Sequence, residues 1–347
     1  MRAIFASAAE IVRPLVGFKT VQNVQMLCRC GPLDAWFTYF PLLGNEIQYI
    51  LVSPFLAWCC GADGQTAMRH FTLISFGACW ISNSLKELFK LPRPPAALQV
   101  GNSDVERVSL QYGFPSTHSA HAISLVWFCT RFAHAQGAVS ATNAAYIAVL
   151  QIFHICFSRL YLGVHSLADI TAGLCVGTAT IFLFVHVLQP LDEVGVAFAT
   201  RSPLAGCAAL ISCCSIVPCL LLYPDKRPEN SAWLEVVLFG AVYVGAAIAC
   251  AMAPHSELCP AQSIGTKATL YILGLVFLGT TRVSLSALSK VAFGGSSRLK
   301  RLDPSGREVD TTLNVLRSLV VTMLTASAVA GVRPPCFWLP AAMQQGQ

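Results

Sequence analysis

Apolar residues fall in runs of about the length needed to cross a bilayer, roughly 20 residues each, and polar residues gather between the runs. Stretches near 36–60, 68–88, 118–136, 141–158, 164–188, 203–223, 231–252, 267–288 and 312–332 predict eight or nine transmembrane helices. Gly44, Asn45 and Glu46 interrupt the first stretch, which therefore reads as a short interfacial helix followed by a span. No internal repeat or low-complexity linker divides the chain. The pattern predicts one all-α polytopic membrane domain, with long connections only at 89–117 and 289–311.

Composition supports this reading. Of the 347 residues 55% are hydrophobic and 12% charged, against about 25% charged in an ordinary soluble domain. Too few charges remain to cover a water-facing surface of this size. The formal charge of +6 is scattered between apolar runs and does not form the basic patches of a nucleic-acid binder. The basic stretch at Arg298, Lys300, Arg301 and Arg307 reads as a loop near lipid headgroups. The 15 cysteines show no CxxC pairs or zinc-ligand spacing, so they read as small membrane hydrophobes. No apolar segment followed by a small-residue cleavage site marks a removable signal peptide. The segment 1–35 is expected to be cytosolic or interfacial, because Arg2, Arg13, Lys19 and Arg29 favour the cytosol.

Three fragments carry candidate chemistry. The first is Lys86, six residues, then Arg93-Pro94, where Pro92, Pro94 and Pro95 stiffen a helix exit. Lys86 and Arg93 are suited to gripping a phosphate, or, taken alone, to snorkelling into headgroups. The second is Tyr112-Gly113-Phe114-Pro115-Ser116-Thr117-His118. It reads as a helix start with Ser116 as N-cap, where backbone N–H groups attract anions, the Ser116 and Thr117 hydroxyls add donors, and His118 is placed to pass a proton. The third is Ser158-Arg159, five residues, His165, three residues, Asp169. His165 and Asp169, four apart at a helix opening, share a face. A carboxylate on one ring nitrogen fixes the tautomer and leaves the other nitrogen as a nucleophile.

Alternate spans return to the same membrane face. The 86–117 loop and the 159–164 turn are separated by two spans, so they open on one side and their residues can meet. Together they supply three cations, a helix N-terminus, two histidines and a carboxylate. That inventory suits phosphoryl transfer through a phosphohistidine, with the cations stabilising the equatorial oxygens. No Asp/Glu cluster is present to hold a metal, so a metal-free reaction without a cofactor is expected.

These motifs, in order and internal spacing, resemble the three signatures of the type 2 phosphatidic acid phosphatase superfamily. The resemblance implies a six-helix phosphatase core within 36–190, with 191–347 as further transmembrane helices of the same domain. It implies His165 as nucleophile, Asp169 as its orienting partner and His118 as proton donor. It makes Lys86, Arg93 and Arg159 the phosphate-binding groups, with Ser116 and the backbone at Thr117 beside them. Most members carry Gly where this chain has Thr117. The Thr form resembles the sphingosine-1-phosphate and long-chain-base phosphatases, as do Leu43-Gly44-Asn45-Glu46 and Tyr161-Leu162-Gly163-Val164-His165-Ser166. That subgroup implies a lipid phosphate substrate, the endoplasmic reticulum membrane and a lumenal site. Phosphatidate, polyprenyl diphosphate or glucose 6-phosphate hydrolysis, and headgroup transfer to another lipid, remain alternatives. Glu46 is open to a functional or a structural role. His70, His121, His134, His154, His186 and His255 lack partner spacing and read as packing or interfacial residues.

Overall fold

The computed structural model describes residues 2–39, 47–60, 63–100, 112–201, 216–227, 230–252 and 264–292, together with the strand residues 301–302 and 308–309. Glu46, His255, most of the expected span at 203–223 and all of that at 312–332 lie outside these residues. The described chain is helical apart from one antiparallel ladder pairing Arg301–Leu302 with Glu308–Val309. The helices are α1 (Arg2–Val12), α2 (Lys19–Cys28), α3 (Gly31–Tyr39), α4 (Ile47–Cys59), α5 (Gly64–Phe89), α6 (Thr117–Ala135), α7 (Ala141–Tyr161), α8 (Leu167–Leu183), α9 (Gln189–Arg201), α10 (Ser231–Met252) and α11 (Ile264–Ala292). A π-helical turn, Phe184–Leu188, joins α8 to α9.

The all-α polytopic expectation holds. Three described helices are long and apolar enough to cross a membrane: Ala141–Tyr161, Leu167–Gly195 and Ser231–Ile248. α5 and α6 lie where spans were expected but are too polar to meet that standard. Their polar residues are internal: Ser75, Ser82, Asn83 and Lys86 on α5, and Ser119, His121 and Ser124 on α6, are all buried. A helix whose polar groups face protein does not need an apolar surface all round.

The chain forms two compact units. One comprises Met1–Gln48, Ile74–His186 and Tyr223–Asp225; the other comprises Tyr49–Leu73, Val187–Leu222 and Lys226–Gln347. In the first, α6 packs along both α7 and α8. Each of these three helices opens on a serine cap: Ser116 accepts from Ser119 N–H at 3.3 Å, Ser140 from Asn143 N–H at 3.2 Å, and Ser166 from Asp169 N–H at 3.2 Å. Such caps satisfy backbone donors that the helix leaves without partners. α8 approaches α6 through Gly173 and Gly177, one helical turn apart. A Cβ on Gly173 would overlap the Ser116 carbonyl, and one on Gly177 the Ala120 carbonyl. Small residues at this spacing let two membrane helices close backbone to backbone.

In the second unit the polar centre is Asp192. It accepts from Arg69 Nε at 2.7 Å and from Tyr243 OH at 2.8 Å, with His70 Nε2 at 3.3 Å. In the same unit, Tyr271 OH donates to the Leu51 carbonyl at 2.8 Å, and its ring meets Phe55 edge-on.

Gly177→Leu is expected to lower the thermal unfolding midpoint of the detergent-solubilised protein, because overpacking here forces α6 and α8 apart at a cost of about 1–3 kcal/mol. An unchanged midpoint would show that the close approach is dispensable.

Candidate active site

Four segments of the first unit deliver the candidate residues. The end of α5 carries Lys86, and the loop after it carries Arg93. The start of α6 carries Ser116, Thr117 and His118. The last turn of α7 carries Arg159, and the turn before α8 carries His165, with Asp169 in the first turn of α8. Ser116 N–H donates to the Asp169 carbonyl at 2.9 Å, which joins the openings of α6 and α8 directly. Gly113 N–H donates to the Leu91 carbonyl at 2.9 Å and brings the approach to α6 against the Arg93 loop. Gly163 (φ +66°) makes the turn out of α7. A Cβ there would overlap the Leu98 carbonyl, so glycine serves both the left-handed backbone and the close approach.

His165 is buried, and the side chains of Lys86, Arg159, Ser116, Thr117 and Asp169 are buried with it. Arg93 Nη1 lies 3.1 Å from His165 Nε2 and donates to the Val164 carbonyl at 3.0 Å. A guanidinium has no acceptor, so Nε2 must present its lone pair to Arg93, and the ring proton sits on Nδ1. Nδ1 faces Asp169, with Oδ2 at 3.6 Å. That distance exceeds a hydrogen bond. Oδ2 instead accepts from Ser166 N–H at 2.7 Å, closing a capping box, and Oδ1 has no hydrogen bond. The expected imidazole–carboxylate pair is therefore juxtaposed but loose, with Oδ1 in reserve for the ring. The His118 ring lies 6.5 Å, centroid to centroid, from that of His165.

Burial holds the His165 imidazole well below its ordinary pKa, and the charges of Arg93, Lys86 and Arg159 act in the same direction. The ring is therefore neutral, as a nucleophile requires. The three cations gathered around it favour an anion.

At the start of α6 Ser116 is the expected N-cap, and the hydroxyl of Thr117, expected as a further donor, is engaged elsewhere. Ser116 Oγ caps its own helix, and Thr117 Oγ1 donates to Asn83 Oδ1 at 3.0 Å. The groups there that lack an intrahelical carbonyl are first-turn backbone N–H groups, at Thr117 and His118. Asn83 was missed in the sequence. It lies three residues before Lys86, on the same face of α5, and is fully buried. A buried amide on the helix face that carries a candidate cation was the available signal. His121 and His154 are packing residues: His121 Nε2 lies 3.2 Å from the Ser75 carbonyl, and Trp36 Nε1 donates to His154 Nε2 at 3.0 Å.

Residues 67–192, which contain every one of these groups, match the family model of the PAP2 superfamily. The chain carries a PAP2-superfamily domain. Among curated relatives it is similar to lipid phosphate phosphatase delta of Arabidopsis thaliana, 27% identical over 53% of this chain and 46% of that one. It is similar to a dihydrosphingosine 1-phosphate phosphatase of Saccharomyces cerevisiae, 28% identical over 49% and 42%. It is also similar to sphingosine-1-phosphate phosphatase 2 of Mus musculus, 29% identical over 62% and 61%. The chain spans about half the length of the first curated relatives it matches. No solved structure matches it.

A thermal double-mutant cycle of Asn83→Ala with Thr117→Val should return a coupling energy of about 1 kcal/mol, the net worth of one buried hydrogen bond. Strict additivity would show that Asn83 does not hold the Thr117 hydroxyl.

Proposed function

We propose that the chain is a metal-independent lipid phosphatase that hydrolyses sphingosine 1-phosphate or a related long-chain-base phosphate through a phosphohistidine on His165. The observation that carries this reading is the neutral His165, its Nε2 lone pair facing Arg93 and its Nδ1 facing Asp169. The PAP2-superfamily match and the names of the relatives supply the substrate class.

On binding, the phosphate takes the guanidinium of Arg93 from Nε2 onto its own oxygens. Lys86, Arg159 and the first-turn N–H groups of α6 hold the remaining oxygens. Nε2 attacks phosphorus, the bond from phosphorus to the lipid oxygen breaks, and His118 gives that oxygen its proton. Asp169 stabilises the positive charge that develops on the ring. Water, deprotonated by His118, then attacks phosphorus; the P–N bond breaks, inorganic phosphate leaves and His165 regains its lone pair. The cations do the electrostatic work that often falls to Mg²⁺. By its resemblance to the long-chain-base phosphatases, the enzyme resides in the endoplasmic reticulum membrane with this site on the lumenal face.

Purified protein in detergent with EDTA is expected to release phosphate from sphingosine 1-phosphate faster than from phosphatidate or glucose 6-phosphate. A preference for either of the others would overturn the substrate. His165→Ala should abolish release, and His118→Ala should lower kcat by on the order of 10²–10⁴; full activity in His165→Ala would falsify the mechanism.

The pH profile provides an independent check. Protonation removes the Nε2 lone pair, and the His165 pKa is lowered by burial and by Arg93. The acid limb of kcat/KM should therefore lie below the ordinary histidine value of about 6.5. A limb at or above it would place the titrating group elsewhere.

A further inference from the structure

Residues 2–39 precede the PAP2 match, and the phosphatase reading gives them no task. They nevertheless pack on the segments that carry the site. Val21 of α2 is buried against Ile155, Cys156 and Leu160 near the end of α7. The Gln25 amide donates to the Leu98 carbonyl at 2.7 Å and the Tyr161 carbonyl at 2.9 Å. It thereby ties the loop that carries Arg93 to the turn that leads to His165. Tyr161 OH donates to Asp34 Oδ1 of α3 at 2.6 Å, and Phe37 packs on the same ring. Ala9 and Val16 form a cluster with Leu91, flanked by Phe89, Phe114 and Ala168.

These contacts determine sidedness. α7 has 21 residues and is apolar enough to span, with a length of about 30 Å, the thickness of the hydrocarbon core. Its Tyr161 end lies at the site and its Ala141 end a bilayer away. Segments bonded at Leu98 and Tyr161 and packed on Ala168 are on the His165 side.

The outer surface of the same segment exposes large apolar side chains among polar ones such as Glu10, Arg13, Gln22 and Asn23. Ile11, Leu15, Met26 and Leu27 are 74%, 68%, 77% and 84% exposed. Along α7, Tyr146, Leu150 and Phe153 are also exposed, as lipid-facing residues are. This stripe runs directly into Trp36, whose indole donates to His154. Tryptophan favours the boundary between acyl chains and headgroups. Lys19 and Arg29 are exposed in the same segment, Arg29 paired with Asp34 at 3.5 Å; long cationic chains at a membrane boundary reach lipid phosphates.

We propose that α1–α3 form an interfacial collar seated on the bilayer leaflet at the active-site face, with its apolar side chains in the lipid. The occupant of this surface is lipid because the surface continues that of a membrane span and carries basic residues at its edge. Of the two expectations for the N-terminus, cytosolic or interfacial, this selects the interfacial one. The N-terminus then shares a compartment with His165, and its basic residues do not report the cytosol independently of the site. None of this rests on the phosphatase reading.

The test uses the full chain in microsomes, with a glycosylation acceptor fused to the N-terminus or inserted in the 137–140 turn. The two positions should be modified oppositely; identical modification, or its loss at both, overturns the sidedness. A photo-crosslinking amino acid at Leu27, and separately at Leu15, in protein reconstituted into phosphatidylcholine vesicles should give adducts of lipid mass. Adducts to protein alone, or none at either position, overturn the lipid docking.

Discussion

The hydrogen bond from Ser116 N–H to the Asp169 carbonyl, 2.9 Å long, is the contact on which the arrangement of the site depends. It locks the first residue of one helix opening to the first turn of another. Once these are joined, Ser116, Thr117 and His118 stand beside His165 and Asp169 without any long side chain having to reach. The bond forms because α6 and α8 approach backbone to backbone, which Gly173 and Gly177 permit. Larger residues at either position would separate two halves of one site.

Around that joint the electrostatics run against the protein alone. Lys86, Arg93 and Arg159 converge on a buried histidine that has Asp169 beside it. Like charges gathered out of water are costly. An anion bound among them would relieve that cost. Burial keeps a proton off His165, and the same three cations act in that direction.

Much of this was legible in the sequence, for local reasons. Spacings of four at a helix opening, a serine before a helical run, and prolines after an apolar helix constrain geometry within a few residues, and those inferences placed His165, Asp169, Ser116 and Arg93. The misreadings and omissions were contacts between residues far apart in the chain. The Thr117 hydroxyl belongs to Asn83, 34 residues away, and His70 found Asp192, 122 residues on. Gln25 reaches Tyr161 across 136 positions. No periodicity announces such pairs. α5 and α6 illustrate the same limit: their apolar content reads as spans, and the neighbours that accommodate their polar residues are ones the sequence does not name.

The serine that caps α6 has a further consequence. Its hydroxyl accepts from its own helix and keeps its proton to donate, whereas the Thr117 hydroxyl is given to Asn83; the other donors at this helix start are first-turn peptide N–H groups. A main-chain donor cannot be deleted by changing a side chain; only proline removes it. A glycine at residue 117 would therefore keep the main-chain donor. It would give up the Asn83 contact alone.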